Sequence, residues 1–116
     1  MIISRSVAPP AGTFLAKVRG GAIQFPRPLR DYCNAVGWDL FRVVPGDADR
    51  LLLEPVMESD PVDDLCSSLS DEGNLWIPAP LRESVRLAEQ SVMMRVEGGG
   101  IGVYLRKVFE TLGFRP

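Results

Sequence analysis

Phe25-Pro26-Arg27-Pro28-Leu29-Arg30-Asp31 and Ile77-Pro78-Ala79-Pro80-Leu81-Arg82-Glu83 are the same pattern written twice, 52 residues apart. An apolar residue, two prolines with one residue between them, a leucine, an arginine and an acid recur in order. The same offset, without gaps, pairs Gly21 with Gly73, Ile23 with Leu75, Val44 with Val96, Gly46 with Gly98 and Leu53 with Leu105. One short match is common by chance, but a register kept over more than thirty positions marks an internal repeat.

Working outward from the prolines, each copy reads as the same string of elements. Gly20-Gly21 and Glu72-Gly73 are turn signals. They separate the β runs Thr13–Val18 and Ala22–Phe25 in the first copy, and Cys66–Ser70 and Leu75–Ile77 in the second. A helix follows in each, near Arg27–Val36 and Ala79–Ala88, with Pro28 or Pro80 in its first turn, where the missing N–H costs nothing. Asp31 and Glu83 lie near those starts, on the side that the helix dipole favours for an acid. Leu29, Tyr32, Cys33 and Val36 share one helical face, as do Leu81, Ser84, Val85 and Ala88, and Gly37 is the expected C-cap of the first helix. A second hairpin then runs Leu40–Val44 to Leu51–Glu54, turning at Pro45-Gly46-Asp47. Its counterpart runs Val92–Val96 to Ile101–Leu105, turning at Gly98-Gly99-Gly100.

The expected fold is mainly β with two short helices, built from two tandem ββαββ copies. One such unit has too little apolar surface to fold alone, whereas two related by a pseudo-two-fold axis bury their helices and hairpins against each other. At 116 residues the whole chain, 1–116, fits a single domain. Repeat 1 covers about 13–55, a polar linker 56–65, repeat 2 about 66–107, and a C-terminal tail 108–116. The tail places Val108, Phe109, Leu112 and Phe114 at helical spacing, as a segment that docks on the barrel or on a neighbour would.

Ser70-Asp71-Glu72-Gly73-Asn74-Leu75-Trp76-Ile77-Pro78-Ala79-Pro80-Leu81-Arg82 resembles the signature of the AbrB and MraZ group, in which an aspartate, a glycine and an arginine precede a short apolar strand, a proline and a later basic residue. These are transcription regulators folded as swapped-hairpin β-barrels. The tandem arrangement is similar to MraZ in particular, because AbrB-type proteins pair single copies. The likeness covers Thr13–Lys107. It implies a swapped-hairpin AbrB-like barrel, a cytoplasmic, nucleoid-associated protein, double-stranded DNA as partner and self-association into a homo-oligomer. The chain departs from the pattern where the family contacts DNA. Ala22 and Asn74 stand at the basic position after the glycine, and Val18 and Ser70 at the aspartate position; Arg30 and Arg82 keep the pattern.

Charge points the same way by region. Residues 1–30 carry +5 with no acid, 31–81 carry −9 and 82–116 carry +2. The candidate DNA-binding residues are therefore Lys17, Arg19, Arg27, Arg30 and Arg82, the first three clustered around the first turn with no acidic neighbours. The opposing reading of Arg30 and Arg82 is that each pairs with a nearby carboxylate and holds its helix to the barrel. The net charge of −2 argues mildly against nucleic acid, since dedicated binders are usually basic. The alternative function is an oligomeric protein-interaction barrel that has lost DNA binding. Trp76 favours it, because it aligns with Gln24 and faces outward if Leu75 and Ile77 face in.

Other classes have little to stand on. The chain has no histidine, the commonest general base and metal ligand, and Gly98-Gly99-Gly100 lacks the lysine and helix of a phosphate-cradling loop. No catalytic residue, metal site or cofactor is expected. Cys33 and Cys66 fall in apolar slots and read as core residues. Asp60, Asp63 and Asp64 read as solubilising linker acids. No run approaches the roughly 18 apolar residues of a membrane span, and no signal-peptide core follows Met1.

Overall fold

The computed structural model describes residues 8–46, 50–82 and 91–105. Its elements are β1 (Phe14–Arg19), β2 (Ala22–Gln24), α1 (Arg27–Val36), β3 (Leu40–Pro45), β4 (Arg50–Pro55), β5 (Cys66–Ser68), β6 (Asn74–Trp76), α2 (Ala79–Arg82), β7 (Ser91–Glu97) and β8 (Gly100–Leu105). The protein is mainly β with two short helices, and its strands form one antiparallel sheet in the order β5-β3-β4-β8-β7-β1-β2-β6. The two ends of that order nearly meet. Leu69 bridges Leu75, and the Ser70 N–H donates to the Asn74 carbonyl at 2.9 Å, so the sheet curls into an almost closed barrel.

Period-two alternation explains which face of each strand is inside. Ala16 and Val18 of β1, Ile23 of β2, Phe41 and Val43 of β3, and Leu51 and Leu53 of β4 are buried. So are Leu75 of β6, Val92 and Met94 of β7, and Ile101 and Val103 of β8, and all join one core. α1 closes one end of this core with Leu29 and Cys33, while Tyr32 and Val36 of the same stripe are half-buried. The helix stops at Gly37, and the Trp38 N–H donates back to the Cys33 carbonyl at 2.9 Å. Tyr32, Trp38 and Phe41 then pack edge to face in a chain that Phe25 continues at a tilt, with ring centroids 5.4 to 6.3 Å apart.

Two expectations need correction. β5 ends at Ser68 instead of reaching Ser70, and only the single bridge at Leu69 continues its pairing. Cys66 is half-exposed rather than in the core, because it opens β5 beside the linker. Its N–H donates to the Asp63 carbonyl at 3.1 Å and its Sγ lies 3.7 Å from Asp63 Oδ1. The other strand bounds shift by a residue or two; β7 starts at Ser91, and Gly100 already belongs to β8. Ser84, Val85 and Ala88 of the expected second helix, Asp47 of the first turn, and the tail 108–116 lie outside the described residues.

Candidate nucleic-acid interface

β1, β2 and the first turn of α1 surround an open groove of about 360 Å³, lined in part by Lys17, Gln24, Arg27, Arg30 and Glu72. Each cation arrives there for a local reason. Lys17 alternates outward between buried Ala16 and Val18 and pairs with Gln24 across β1–β2. Pro26 turns the chain into α1 and accepts the Leu29 and Arg30 N–H groups, both at 3.0 Å, which sets Arg27 and Arg30 on the first turn. The Phe25 N–H donates to the Gly73 carbonyl at 2.8 Å and ties that corner to the turn before β6.

Arg30 has a structural duty in this groove. Its Nη1 donates to the Glu72 carbonyl at 2.9 Å, a backbone contact and not the carboxylate pair that the opposing sequence reading expected. Its side chain lies against Gly73, where a Cβ would stand 2.7 Å from Arg30 Cδ. Gly73 also has φ +84°, so a side chain is unfavourable there twice over.

The expectation that Lys17, Arg19 and Arg27 lack acidic neighbours is corrected at one position. Arg27 Nε lies 4.0 Å from Asp31 Oδ2, one helical turn on, with the two side chains 83% and 66% exposed. Such a solvated pair is weak, and it leaves the guanidinium accessible. Arg19 is exposed at the far end of β1, and the residues lining the groove do not include it. Arg82 ends the described part of α2, and its side chain lies outside the described residues.

The acidic linker is held elsewhere, over β3. Arg42 Nη2 donates to the Pro61 carbonyl at 2.8 Å and to Asp63 Oδ2 at 3.2 Å. Asp60 and Asp63 cap turns, accepting the Met57 N–H at 2.8 Å and the Leu65 N–H at 2.9 Å. The Leu65 N–H holds the Asp63 carboxyl below the usual carboxylate range against a small opposing effect of burial, and the Arg42 charge adds to it.

One polar cluster has no signal in the sequence. On the outer face of β4, β8 and β7, the Tyr104 hydroxyl lies 2.6 and 2.7 Å from the two Glu97 carboxylate oxygens. Arg50 Nη2 reaches Glu97 Oε1 at 3.0 Å and Arg95 Nε reaches Oε2 at 2.9 Å, while both guanidinium carbons sit 5.3 Å from the Tyr104 ring centroid. Gly102, between the strands' side chains, leaves the space that the Glu97 carboxylate fills. Burial alone would raise the Glu97 carboxyl, but hydrogen bonds from Tyr104 and Arg95 and the charges of Arg50 and Arg95 outweigh it and lower it. Tyr104 moves up, through burial and its bond to Glu97. Register makes this cluster, since Tyr104 pairs with Arg50 on one side and Met93 on the other.

Burial pushes the Cys33 thiol up to about 12, so it stays un-ionised and inert as a nucleophile. No group of three or more acids or cysteines converges as a metal site among the described residues, and no described helix is long and apolar enough to cross a membrane.

No family model matches the chain, and no curated protein matches it either. The basic groove and the sheet around it therefore carry the functional reading on their own geometry.

Proposed function

We propose that this chain is a MraZ/AbrB-like, non-catalytic transcription regulator that binds double-stranded DNA through the groove of Lys17, Arg27 and Arg30. The observation that carries the reading is the convergence of these three cations on one open groove that Glu72 alone contributes an acid to, among its lining residues. The strand order supports the swapped-hairpin form. Hairpin β3–β4 of the first copy lies between β5 and β8 of the second, and hairpin β1–β2 lies between β7 and β6. Arg19 and Arg82 remain candidate phosphate contacts in this reading, and a nucleoid location follows from it.

Affinity in this reading comes from phosphate neutralisation, because Ala22 and Asn74 occupy the positions where the family carries a basic residue. Binding to a duplex from the gene's own upstream region, followed by mobility shift across salt concentrations, tests it. Weak, steeply salt-dependent binding is expected, with each lost phosphate contact flattening the log–log slope by about 0.9. Replacing Lys17, Arg19 and Arg27 together by alanine abolishes it, and Arg82→Ala weakens it less. A wild type that binds no duplex at low salt refutes the reading.

The second reading, an oligomeric interaction barrel, is favoured by the outward Leu15 and Trp76, which are 52% and 53% exposed. Light scattering that finds a strict monomer at high micromolar concentration refutes self-association.

A further inference from the structure

We infer that the outward face of β1, β2 and β6 binds single-stranded DNA, with Trp76 stacking on an unpaired base. Binding of an unpaired strand goes beyond the duplex reading; only the choice of DNA over RNA rests on it.

The strand registers build the platform. Val18, Ile23 and Leu75 pair across the three strands and all point into the core. The flanking positions must then point out, as two parallel rows. One row is Lys17, Gln24 and Asn74; the other is Arg19, Ala22 and Trp76. Neighbours within a row stand about 5 Å apart, so each row is about 10 Å long, and the two rows lie about 7 Å apart along the strands. Ala22, between Arg19 and Trp76, is buried, so Arg19 and Trp76 form the surface of that row. Trp76 remains 53% exposed on this face.

Charge and chemistry select the occupant. β1, β2 and β6 carry two cations and no acid. The nearest acids in sequence, Asp71 and Glu72, sit before Asn74, at the end of β6 away from Trp76. In a duplex the faces of the bases are stacked on each other and only their edges are open, so an indole has nothing to stack on. A single strand exposes face, edge and phosphate together. The platform has a partner for each: the Trp76 ring for a base face, the Gln24 and Asn74 amides for base edges, and Lys17 and Arg19 for phosphates. Lys17 also lines the groove beside Arg27 and Arg30. The two surfaces are thus continuous, and a strand leaving a duplex in the groove would pass onto the platform, which favours DNA as the source.

The full chain is titrated against a fluorescein-labelled oligothymidylate of roughly 12 nucleotides, a duplex of equal length and the matching oligoribonucleotide. Anisotropy and tryptophan fluorescence are read together. The wild type is expected to bind the single strand with quenching of Trp76. Trp76→Ala weakens that binding by about ten-fold, the loss of one stacked base, with an unchanged thermal melt because the ring is exposed. Trp76→Phe restores most of the affinity but not the quench, since only Trp38 then remains. Equal binding by wild type and Trp76→Ala overturns the inference, as does a wild type that binds no single strand. Tighter binding of the oligoribonucleotide overturns the choice of DNA. Duplex binding without single-strand binding leaves the groove standing and removes the platform; the converse removes the groove alone. If Trp76→Ala instead dissociates an oligomer and leaves strand binding untouched, the face is a self-contact and the inference falls.

Discussion

Gly73→Ala should destabilise the protein by about 2–3 kcal/mol, and the size of the loss follows from two separable effects. At φ +84° an alanine pays about 1–2 kcal/mol for the left-handed backbone. Its Cβ also meets Arg30 Cδ at 2.7 Å, so the arginine must move and its bond to the Glu72 carbonyl is strained or lost, for about 1 kcal/mol more. Gly99→Ala isolates the first effect, because φ there is +79° and a Cβ would meet nothing within 4 Å. It should cost only about 1–2 kcal/mol. Guanidinium melts followed by far-ultraviolet dichroism give both values, together with Arg30→Ala and the double variant. The double variant should be about 1 kcal/mol more stable than the sum of the single losses predicts, since removing Arg30 removes the clash. Equal losses for Gly73→Ala and Gly99→Ala, or strict additivity with Arg30→Ala, would refute the argument that Arg30 pins the turn before β6.

Leu29→Ala, which empties a fully buried site under α1, should cost about 2–5 kcal/mol; a loss below half a kilocalorie would mean that the helix is not seated on the barrel. Leu81→Ala should fall in the same range, because Leu81 is 7% exposed in α2. The lowered Glu97 carboxyl contributes stability that is present above its ordinary value of 4.5 and is lost as pH falls through its folded value. Tyr104→Phe should therefore cost about 1–2 kcal/mol at neutral pH and progressively less in acid, and a loss independent of pH would show that the hydrogen bond to Glu97 contributes nothing.

Much of the fold was legible because its signals are local. The prolines at Pro28 and Pro80, the turn glycines and the apolar alternation each act within a few residues, and they locate all ten strand and helix starts to within one residue. The outward position of Trp76 followed from the inward positions of Leu75 and Ile77 in the same way. The Arg27–Asp31 pair is also legible locally, as two opposite charges four apart on a helix. Cys66 was misplaced because its apolar character outweighed its position beside the linker.

Where strands and helices lie and which side of each strand is apolar are local properties, because steric and hydrophobic periodicity need only near neighbours. Which hairpin lies beside which is a property of the assembled sheet. No local pattern states that β1 pairs with β7 or β4 with β8, since that choice depends on how both halves jointly bury their apolar faces. The side-chain meetings that depend on that order were equally out of reach: Arg30 over Gly73, Glu97 between Arg50 and Tyr104, and the two outward rows that end at Trp76. Each joins residues from different hairpins, brought together only when the register across the sheet is set.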